Sequence, residues 1–136
     1  MVAGMMDGPP TSAPKGSLLV VDDEPSIVKF MGIVLAREGY QALTASNARE
    51  AWERFQQQAP PVRAVVTDMA MPGGWSGLDL ARRVHESSPN TPVLLVTGHE
   101  PPSPPDPCKG AWPKPFTAEL LRTTVREITR QATGYN

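Results

Sequence analysis

Residues 63–68 read RAVVTD, a short apolar run that ends in the carboxylate of Asp68. Three other strand-like runs also lead to polar residues, namely Asp22 with Asp23, Thr97, and Lys114. Strands that are buried on both faces of a parallel sheet have this continuous apolar pattern. The carboxyl ends of parallel strands meet at one edge of the sheet, where such folds place their binding sites. We therefore expect three carboxylates, a hydroxyl and an ammonium group to converge at one edge.

The composition is that of one small globular domain. The chain has 136 residues and a formal net charge of −1, so nucleic acid is not an expected partner. Its single cysteine, Cys108, excludes an internal disulfide framework and suits a reducing cytoplasm. No apolar run approaches the roughly 18 residues of a membrane span, and residues 1–16 lack the features of a signal peptide. We expect a cytoplasmic protein that contacts neither a membrane nor nucleic acid directly.

The domain boundaries follow from local composition. Residues 1–16 are rich in glycine and proline and have no periodicity, which predicts a disordered tail. Residues 17–132 hold the periodic segments of the domain, and residues 133–136 form its C-terminal end. We expect no output domain after these residues, so the domain acts alone or was excised from a larger protein.

Strand patterns alternate with helix patterns from residue 18 onward. Pro25 suits the first turn of a helix whose apolar residues recur at helical spacing until Gly39. The other helices are preceded by residues of the N-cap type, namely Asn47, Ser76 and Thr117. Asn47 and Ser76 also have an acidic residue three positions later, which is the pattern of a capping box. Five strands with helices between them predict an α/β fold with a doubly wound, five-stranded parallel sheet.

With these elements in place, the chain resembles the receiver domain of two-component response regulators over residues 17–132. The matching motifs are VVDDE at 20–24, TDMAMP at 67–72 with Gly77 beyond it, VTG at 96–98 and KPF at 114–116. Each motif is weak by itself, but all four in this order, each at a strand end, are highly specific. The PGGWSG stretch at 72–77 also resembles receivers attached to hybrid sensor kinases. The resemblance implies a flavodoxin-like sheet with the strand order 2-1-3-4-5.

The resemblance implies a phosphoacceptor and a metal site. Asp68 would attack the phosphorus of a phosphohistidine and become an aspartyl phosphate. The implied metal ligands are Asp22, which acts largely through water, Asp23, Asp68 and the backbone carbonyl of Ala70. Such oxygen ligands suit Mg²⁺, and Mn²⁺ as an alternative. The implied partner is a sensor histidine kinase or a histidine phosphotransfer protein.

The resemblance also implies a group that binds the phosphoryl oxygens and makes the domain a switch. Thr97 would move toward the phosphoryl group, Gly98 would leave room for it, and Lys114 would pair with its oxygens. Pro115 is the candidate for a cis-proline. Phosphorylation adds about −1.5 to −2 charges at one place, so we expect a conformational switch or a relay of the phosphoryl group. The chemistry is limited to the domain's own phosphorylation and dephosphorylation, which is not enzymatic turnover of a substrate.

One segment departs from the receiver pattern. Five of the seven residues from 101 to 107 are proline, and each proline removes a helical hydrogen bond and clashes with the preceding turn. We predict that the helix usually found between strands four and five is absent, and that an extended loop, partly polyproline II, replaces it. The output surface of the family is then altered, and the oligomeric state does not follow from the sequence.

Each of these assignments has a plainer alternative. Asp22 and Asp23 also suit the N-cap of a helix, and Asp68 also suits a turn. Thr97 and Lys114 also suit ordinary loop and surface positions.

Two other functions are compatible with parts of the pattern. One is a pseudo-receiver, which docks to a partner without being phosphorylated. The other is an aspartyl-nucleophile phosphohydrolase, which needs Asp-x-Asp after its first strand and usually a cap domain, whereas this chain has DDE at 22–24. Trp75 belongs to neither argument, since it either covers the apolar edge of the third helix or marks a contact patch.

Overall fold

Five parallel strands form one sheet in the computed structural model, which describes residues 16–57, 62–71, 73–97, 108, 110–113 and 117–133. The strands are β1 Ser17–Val21, β2 Gln41–Ala45, β3 Val62–Asp68, β4 Val93–Thr97 and β5 Gly110–Pro113. Their spatial order is β2-β1-β3-β4-β5, and each neighbouring pair is parallel. The expected flavodoxin-like α/β fold is therefore confirmed.

Helices cover both faces of this sheet. In the described part of the chain they are α1 Pro25–Arg37, α2 Ala48–Gln57, α3 Gly77–Ser87 and α4 Ala118–Thr133. Buried side chains of α1 and α4 share one apolar cluster with the sheet, and those of α2 and α3 share the other. Because helices cover both faces of β1 and β3, these two strands are almost entirely buried and have no polar alternation.

Strand β1 lies between β2 and β3 and belongs to both apolar clusters. All five of its residues are buried. Leu18 and Val20 lie in the cluster with α1 and α4, whereas Leu19 and Val21 lie in the cluster with α2 and α3. This division follows from strand geometry, because successive side chains point to opposite faces.

Three helix starts agree with the sequence prediction. Pro25 is the first residue of α1. Ser76 and Asp79 form a complete capping box, in which Ser76 Oγ accepts from the Asp79 N–H at 3.1 Å and Asp79 Oδ2 accepts from the Ser76 N–H at 2.9 Å. Thr117 Oγ1 accepts from the N–H of Leu120 at 3.0 Å and caps α4.

The start of α2 differs in detail from the predicted capping box. Asn47 Oδ1 accepts from the Glu50 N–H at 2.8 Å, as expected. The Glu50 carboxylate, however, accepts from the Ser46 N–H at 2.8 Å and from the Ser46 hydroxyl at 3.0 Å, one residue earlier than the pattern predicts. The Ser46 N–H and then the Ser46 hydroxyl lower the pKa of Glu50, against an opposing effect of burial.

The last helix is tied to the corner between α1 and β2. The Tyr40 hydroxyl and Thr129 Oγ1 form a buried hydrogen bond of 3.2 Å. Glu38, which directly follows α1 and its C-terminal Arg37, pairs with Arg126 at 2.7 Å and with Arg122 at 3.8 Å. Since β2 runs away from this corner toward Ala45, these contacts lie at the amino edge of the sheet, opposite Asp68.

Three predictions about the fold lie at least partly outside the described residues. They are the disordered tail, apart from Gly16, the absence of a helix in the proline-rich segment 98–107, and the C-terminal end at 133–136, apart from Thr133. Among the helices that the structure describes, none is long and apolar enough to cross a membrane.

Candidate functional site

Three carboxylates meet at the carboxyl edge of the sheet. Asp22 and Asp23 follow β1, Asp68 is the last residue of β3, and these two strands pair directly. One carboxylate oxygen from each residue lies within 4.8 Å of the other two. The predicted convergence is therefore confirmed for the three aspartates.

The local hydrogen bonds of Asp22 argue against a simple helix cap. The N-cap residue of α1 is Glu24, so neither Asp22 nor Asp23 holds that position. Asp22 Oδ1 accepts from the Glu24 N–H at 2.9 Å, and the Asp22 N–H donates to the carbonyl of Ala45 at 3.2 Å. The bond to Ala45 continues the pairing of β1 with β2 and so fixes the backbone at Asp22.

The burial of these carboxylates makes their mutual repulsion costly. Asp22 is 1% exposed and Asp68 is 6% exposed, whereas Asp23 is exposed. Two unit charges separated by the 4.8 Å limit of this group repel by about 3 kcal/mol at an effective dielectric of 20. A divalent cation removes this cost, and Mg²⁺ takes oxygen ligands while keeping several waters. The exposed side at Asp23 leaves room for those waters, so the residues present fit such an ion.

The peptide that follows Asp68 is held by its neighbours. Thr67 Oγ1 donates to the Asp68 carbonyl at 2.9 Å. The Met69 N–H donates to the carbonyl of Val96 on β4 at 2.9 Å, and the Gly77 N–H donates to the carbonyl of Met69 at 2.7 Å. Asp68 is thus a strand residue with a fixed backbone, and the alternative that it serves a turn does not agree with the structure.

An open pocket gives access to the first two carboxylates from the solvent. Its volume is about 430 Å³, and its lining includes Asp22, Asp23, Pro25, Lys29, Glu50 and Arg54. Lys29 is on α1 and Arg54 is on α2, so cationic side chains stand on both of these helices near the carboxylates. Arg54 also pairs with Glu50 at 3.5 Å, so part of the positive charge in this pocket is already matched by a carboxylate of its lining.

The other predicted site residues are only partly within the described region. Thr97 is the last residue of β4, next to Val96, which pairs with Asp68 across the sheet. Ala70 lies exposed in the segment directly after β3. Gly98, Lys114 and Pro115 lie outside the described residues, so their predicted roles stay predictions.

The sequence analysis missed a cluster of two arginines around Trp75. The Trp75 ring lies 4.1 Å from the Arg83 guanidinium carbon and 4.8 Å from that of Arg49. Arg49 Nε also donates to the carbonyl of Gly73 at 3.3 Å. Arg49 is on α2 and Arg83 on α3, so no local spacing in the sequence could show that both face one tryptophan.

Comparison with known proteins agrees with this geometry. A family model described as the response regulator receiver domain matches residues 18–106. The chain is 38% identical over 81 residues to the response regulator protein PilR of Pseudomonas aeruginosa, and this alignment covers 60% of this chain and 18% of PilR. It is 32% identical over 124 residues to the transcriptional regulatory protein YkoG of Bacillus subtilis, which covers 86% of this chain and 52% of YkoG. The chain thus spans about half the length of these curated relatives, or less.

Solved structures of similar proteins have the same architecture. A response regulator receiver domain protein from Clostridium thermocellum superposes with a TM-score of 0.76 at 27% identity, over 87% of this chain and 97% of that one. The response regulator TrrA of Thermotoga maritima, solved in complex with Mg²⁺ and BeF, superposes with a TM-score of 0.73 at 29% identity, over 83% and 98%. The triad of Asp22, Asp23 and Asp68 is typical of the Mg²⁺ site of receivers. The chain belongs to the response regulator receiver domain family, a group of two-component signalling modules rather than classical enzymes.

Proposed function

We propose that the protein is the phosphoacceptor of a two-component phosphorelay, with Asp68 as the residue that is phosphorylated. One observation carries this proposal: carboxylate oxygens of Asp22, Asp23 and Asp68 lie within 4.8 Å of one another at the carboxyl edge of a parallel sheet. Asp68 is the member of this group that ends the central strand β3. The residue after it, Met69, is held by hydrogen bonds to Val96 of β4 and to Gly77 of α3. A nucleophile needs such a fixed position, since a misplacement of the reacting atom by about 1 Å greatly lowers the reaction rate.

The proposed metal site uses the same three residues. Asp22, Asp23, Asp68 and the backbone carbonyl of Ala70 would hold Mg²⁺, or Mn²⁺ in its place. The ion, when bound, neutralises negative charge on the carboxylates and on the phosphoryl oxygens. Asp22 acts largely through water in this proposal, while Asp23 and Asp68 bind directly.

The proposed reaction transfers a phosphoryl group from a histidine to Asp68. A carboxylate oxygen of Asp68 forms a bond to phosphorus while the bond between phosphorus and the imidazole nitrogen breaks, and the electron pair of that bond stays on the nitrogen. Lys114 pairs with the phosphoryl oxygens, Gly98 leaves them room, and Pro115, as a cis-proline, follows the lysine. Thr97 then moves toward the phosphoryl group, which biases the domain toward a second conformation or prepares it to pass the group on.

The proposed partners and organisation follow from the same assignment. The donor is a sensor histidine kinase or a histidine phosphotransfer protein in the cytoplasm. Residues 1–16 are proposed to be a tail, 17–132 the receiver domain and 133–136 its C-terminal end. The PGGWSG stretch at 72–77 favours the hybrid-kinase subtype, and the proline-rich segment at 101–107 replaces a helix of the usual output surface.

The test is intact mass spectrometry after incubation with acetyl phosphate and Mg²⁺. We expect a single phosphoryl adduct on the wild-type protein, and none on Asp68→Ala or in a chelator. Glu53→Gln, which removes an exposed carboxylate from α2, is the matched control and should be phosphorylated normally. A folded protein that binds Mg²⁺ but forms no adduct would instead be a pseudo-receiver that only docks.

A further inference from the structure

Trp75 is held between two cationic side chains in the segment that follows Asp68. Arg83 of α3 lies 4.1 Å from the centre of its ring, and Arg49 of α2 lies 4.8 Å from it. Both distances are within the range of cation–π attraction. We name these three residues, Arg49, Trp75 and Arg83, the arginine clamp.

The arginine clamp contacts a segment that contains two glycines with positive φ angles. Gly73 and Gly74 have φ angles of 99° and 91°, a region that other residues rarely adopt. A Cβ atom at either position would have no neighbour within 4 Å, so a side chain there would begin in open space. Arg49 of α2 contacts this segment twice, since it lies against the Trp75 ring and donates from Nε to the Gly73 carbonyl at 3.3 Å. Trp75 also packs against the apolar cluster of α2 and α3.

A short series of contacts connects the clamp to Asp68. Trp75 directly precedes Ser76, whose capping box with Asp79 fixes the start of α3. The next residue, Gly77, donates to the Met69 carbonyl at 2.7 Å. A Cβ atom on Gly77 would overlap with the Asp68 carbonyl oxygen, so the start of α3 lies directly against the Asp68 peptide. These contacts would carry a shift of Trp75 to the Asp68 peptide and, through Met69, to Ala70.

We propose that the arginine clamp positions the metal-binding group and sets its affinity for Mg²⁺. This inference rests on the proposed function, because it takes Asp68 and the Ala70 carbonyl as ligands. Trp75, Arg49 and Arg83 are positioning residues here, acting through the backbone of the segment rather than on the ion. The energy of binding is larger when the ligand oxygens are already in place than when binding has to order them.

The direction in which Mg²⁺ affinity changes distinguishes positioning from simple electrostatics. Arg83→Gln and Arg49→Gln each remove a positive charge, which by Coulomb's law alone makes the site more negative and tightens Mg²⁺ binding. If the arginine clamp positions the ligands, the same substitutions release Trp75 and weaken Mg²⁺ binding. Arg82→Gln removes the same charge from the neighbouring exposed position on α3 and is the matched control.

The experiment measures the Mg²⁺ dissociation constant of the full chain by isothermal titration calorimetry. We expect Trp75→Leu to raise it about fivefold, corresponding to the loss of two modest cation–π contacts, and Trp75→Phe to retain most of the affinity. Arg49→Gln and Arg83→Gln should each weaken binding, whereas Arg82→Gln should leave it unchanged or tighten it. Hydrogen exchange of the Gly73 and Gly74 amides should become faster only in the clamp variants.

A second control separates positioning from general loss of packing. Phe55→Leu alters another partly buried aromatic residue, on α2, that packs against the same apolar cluster as Trp75. It should lower the melting temperature without changing the Mg²⁺ dissociation constant. If the folded Trp75→Leu and Arg83→Gln proteins bind Mg²⁺ with wild-type affinity, the role proposed for the arginine clamp is wrong and the proposed function still stands. A wild-type protein that neither binds Mg²⁺ nor forms the acetyl phosphate adduct would overturn both.

Discussion

Gly77 lies so close to Asp68 that no side chain fits between them. A Cβ atom at position 77 would overlap with the carbonyl oxygen of Asp68 and would lie 3.0 Å from the Cα atom of Met69. The start of α3 and the end of β3 are therefore in direct backbone contact at the candidate site. This contact couples the stability of the domain to the position of its proposed nucleophile.

Gly77→Ala should lower both stability and phosphorylation. The added methyl group forces the start of α3 away from the Asp68 peptide, and overpacking of this kind costs about 1–3 kcal/mol. Urea unfolding measures the first effect, and the rate of adduct formation with acetyl phosphate measures the second. Gly32→Ala is the matched control, because Gly32 lies within α1 and a Cβ atom there would be 3.9 Å from the Ala42 methyl. It should stabilise the protein by about 0.5–1 kcal/mol.

Asp23→Asn should have opposite effects on stability with and without Mg²⁺. In a chelator, the substitution removes one of three close carboxylates. It should raise the free energy of unfolding by about 1 kcal/mol, a value reduced from the Coulomb figure because Asp23 is exposed. With Mg²⁺ in excess, the wild-type protein gains more from binding, so the order of the melting temperatures should reverse. Thermal unfolding of both proteins in the two buffers tests this, and an unchanged order would contradict a metal site at Asp23.

The stability of α2 should fall in acid through Glu50. The Ser46 N–H, followed by the Ser46 hydroxyl, holds the pKa of this carboxyl below its usual value of 4.5. A carboxyl with a lowered pKa in the folded state stabilises the protein above the unfolded pKa, and this contribution is lost as the pH falls through the folded pKa. Below about pH 4.5 the wild-type protein should therefore lose stability more steeply than Glu50→Gln. Urea unfolding at a series of acidic pH values measures the two slopes, and equal slopes would exclude Glu50 as a source.

Tyr40→Phe should reduce stability without affecting the chemistry. The Tyr40 hydroxyl bonds Thr129 Oγ1 in the core at 3.2 Å, and loss of one such hydrogen bond costs about 0.5–1.5 kcal/mol. Its position at the amino edge separates it from the carboxylates by the length of the sheet. Urea unfolding should show the loss, while the rate of adduct formation should equal that of the wild-type protein. A slower rate would mean that the two edges are coupled.

The parts of the structure that the sequence predicted are those with a local signal. The apolar runs that end at Val21 and Asp68 and the capping pattern of Ser76 with Asp79 each need only a few neighbouring residues, and the structure contains all of them. The meeting of the three aspartates needs one further rule, that parallel strands end at a common edge.

The features that were missed depend on contacts between distant segments. Arg49 and Arg83 lie on two helices with strand β3 between them in the chain, and only the packing of α2 against α3 brings both to Trp75. The shifted cap of α2 is a smaller case. The pattern assigns Glu50 to the N–H of Asn47, but the carboxylate reaches Ser46 instead, where it accepts two hydrogen bonds. Competition between such neighbouring partners is decided by geometry that residue types do not specify.

The two sides of β1 give the domain a single cooperative unfolding unit. Leu18 and Leu19 are adjacent in the chain, yet each belongs to a different apolar cluster, on opposite faces of the sheet. Loss of β1 would therefore disrupt both clusters at once, because each contains residues of this strand. We therefore expect the domain to unfold in one transition, without a stable intermediate that keeps one layer of helices.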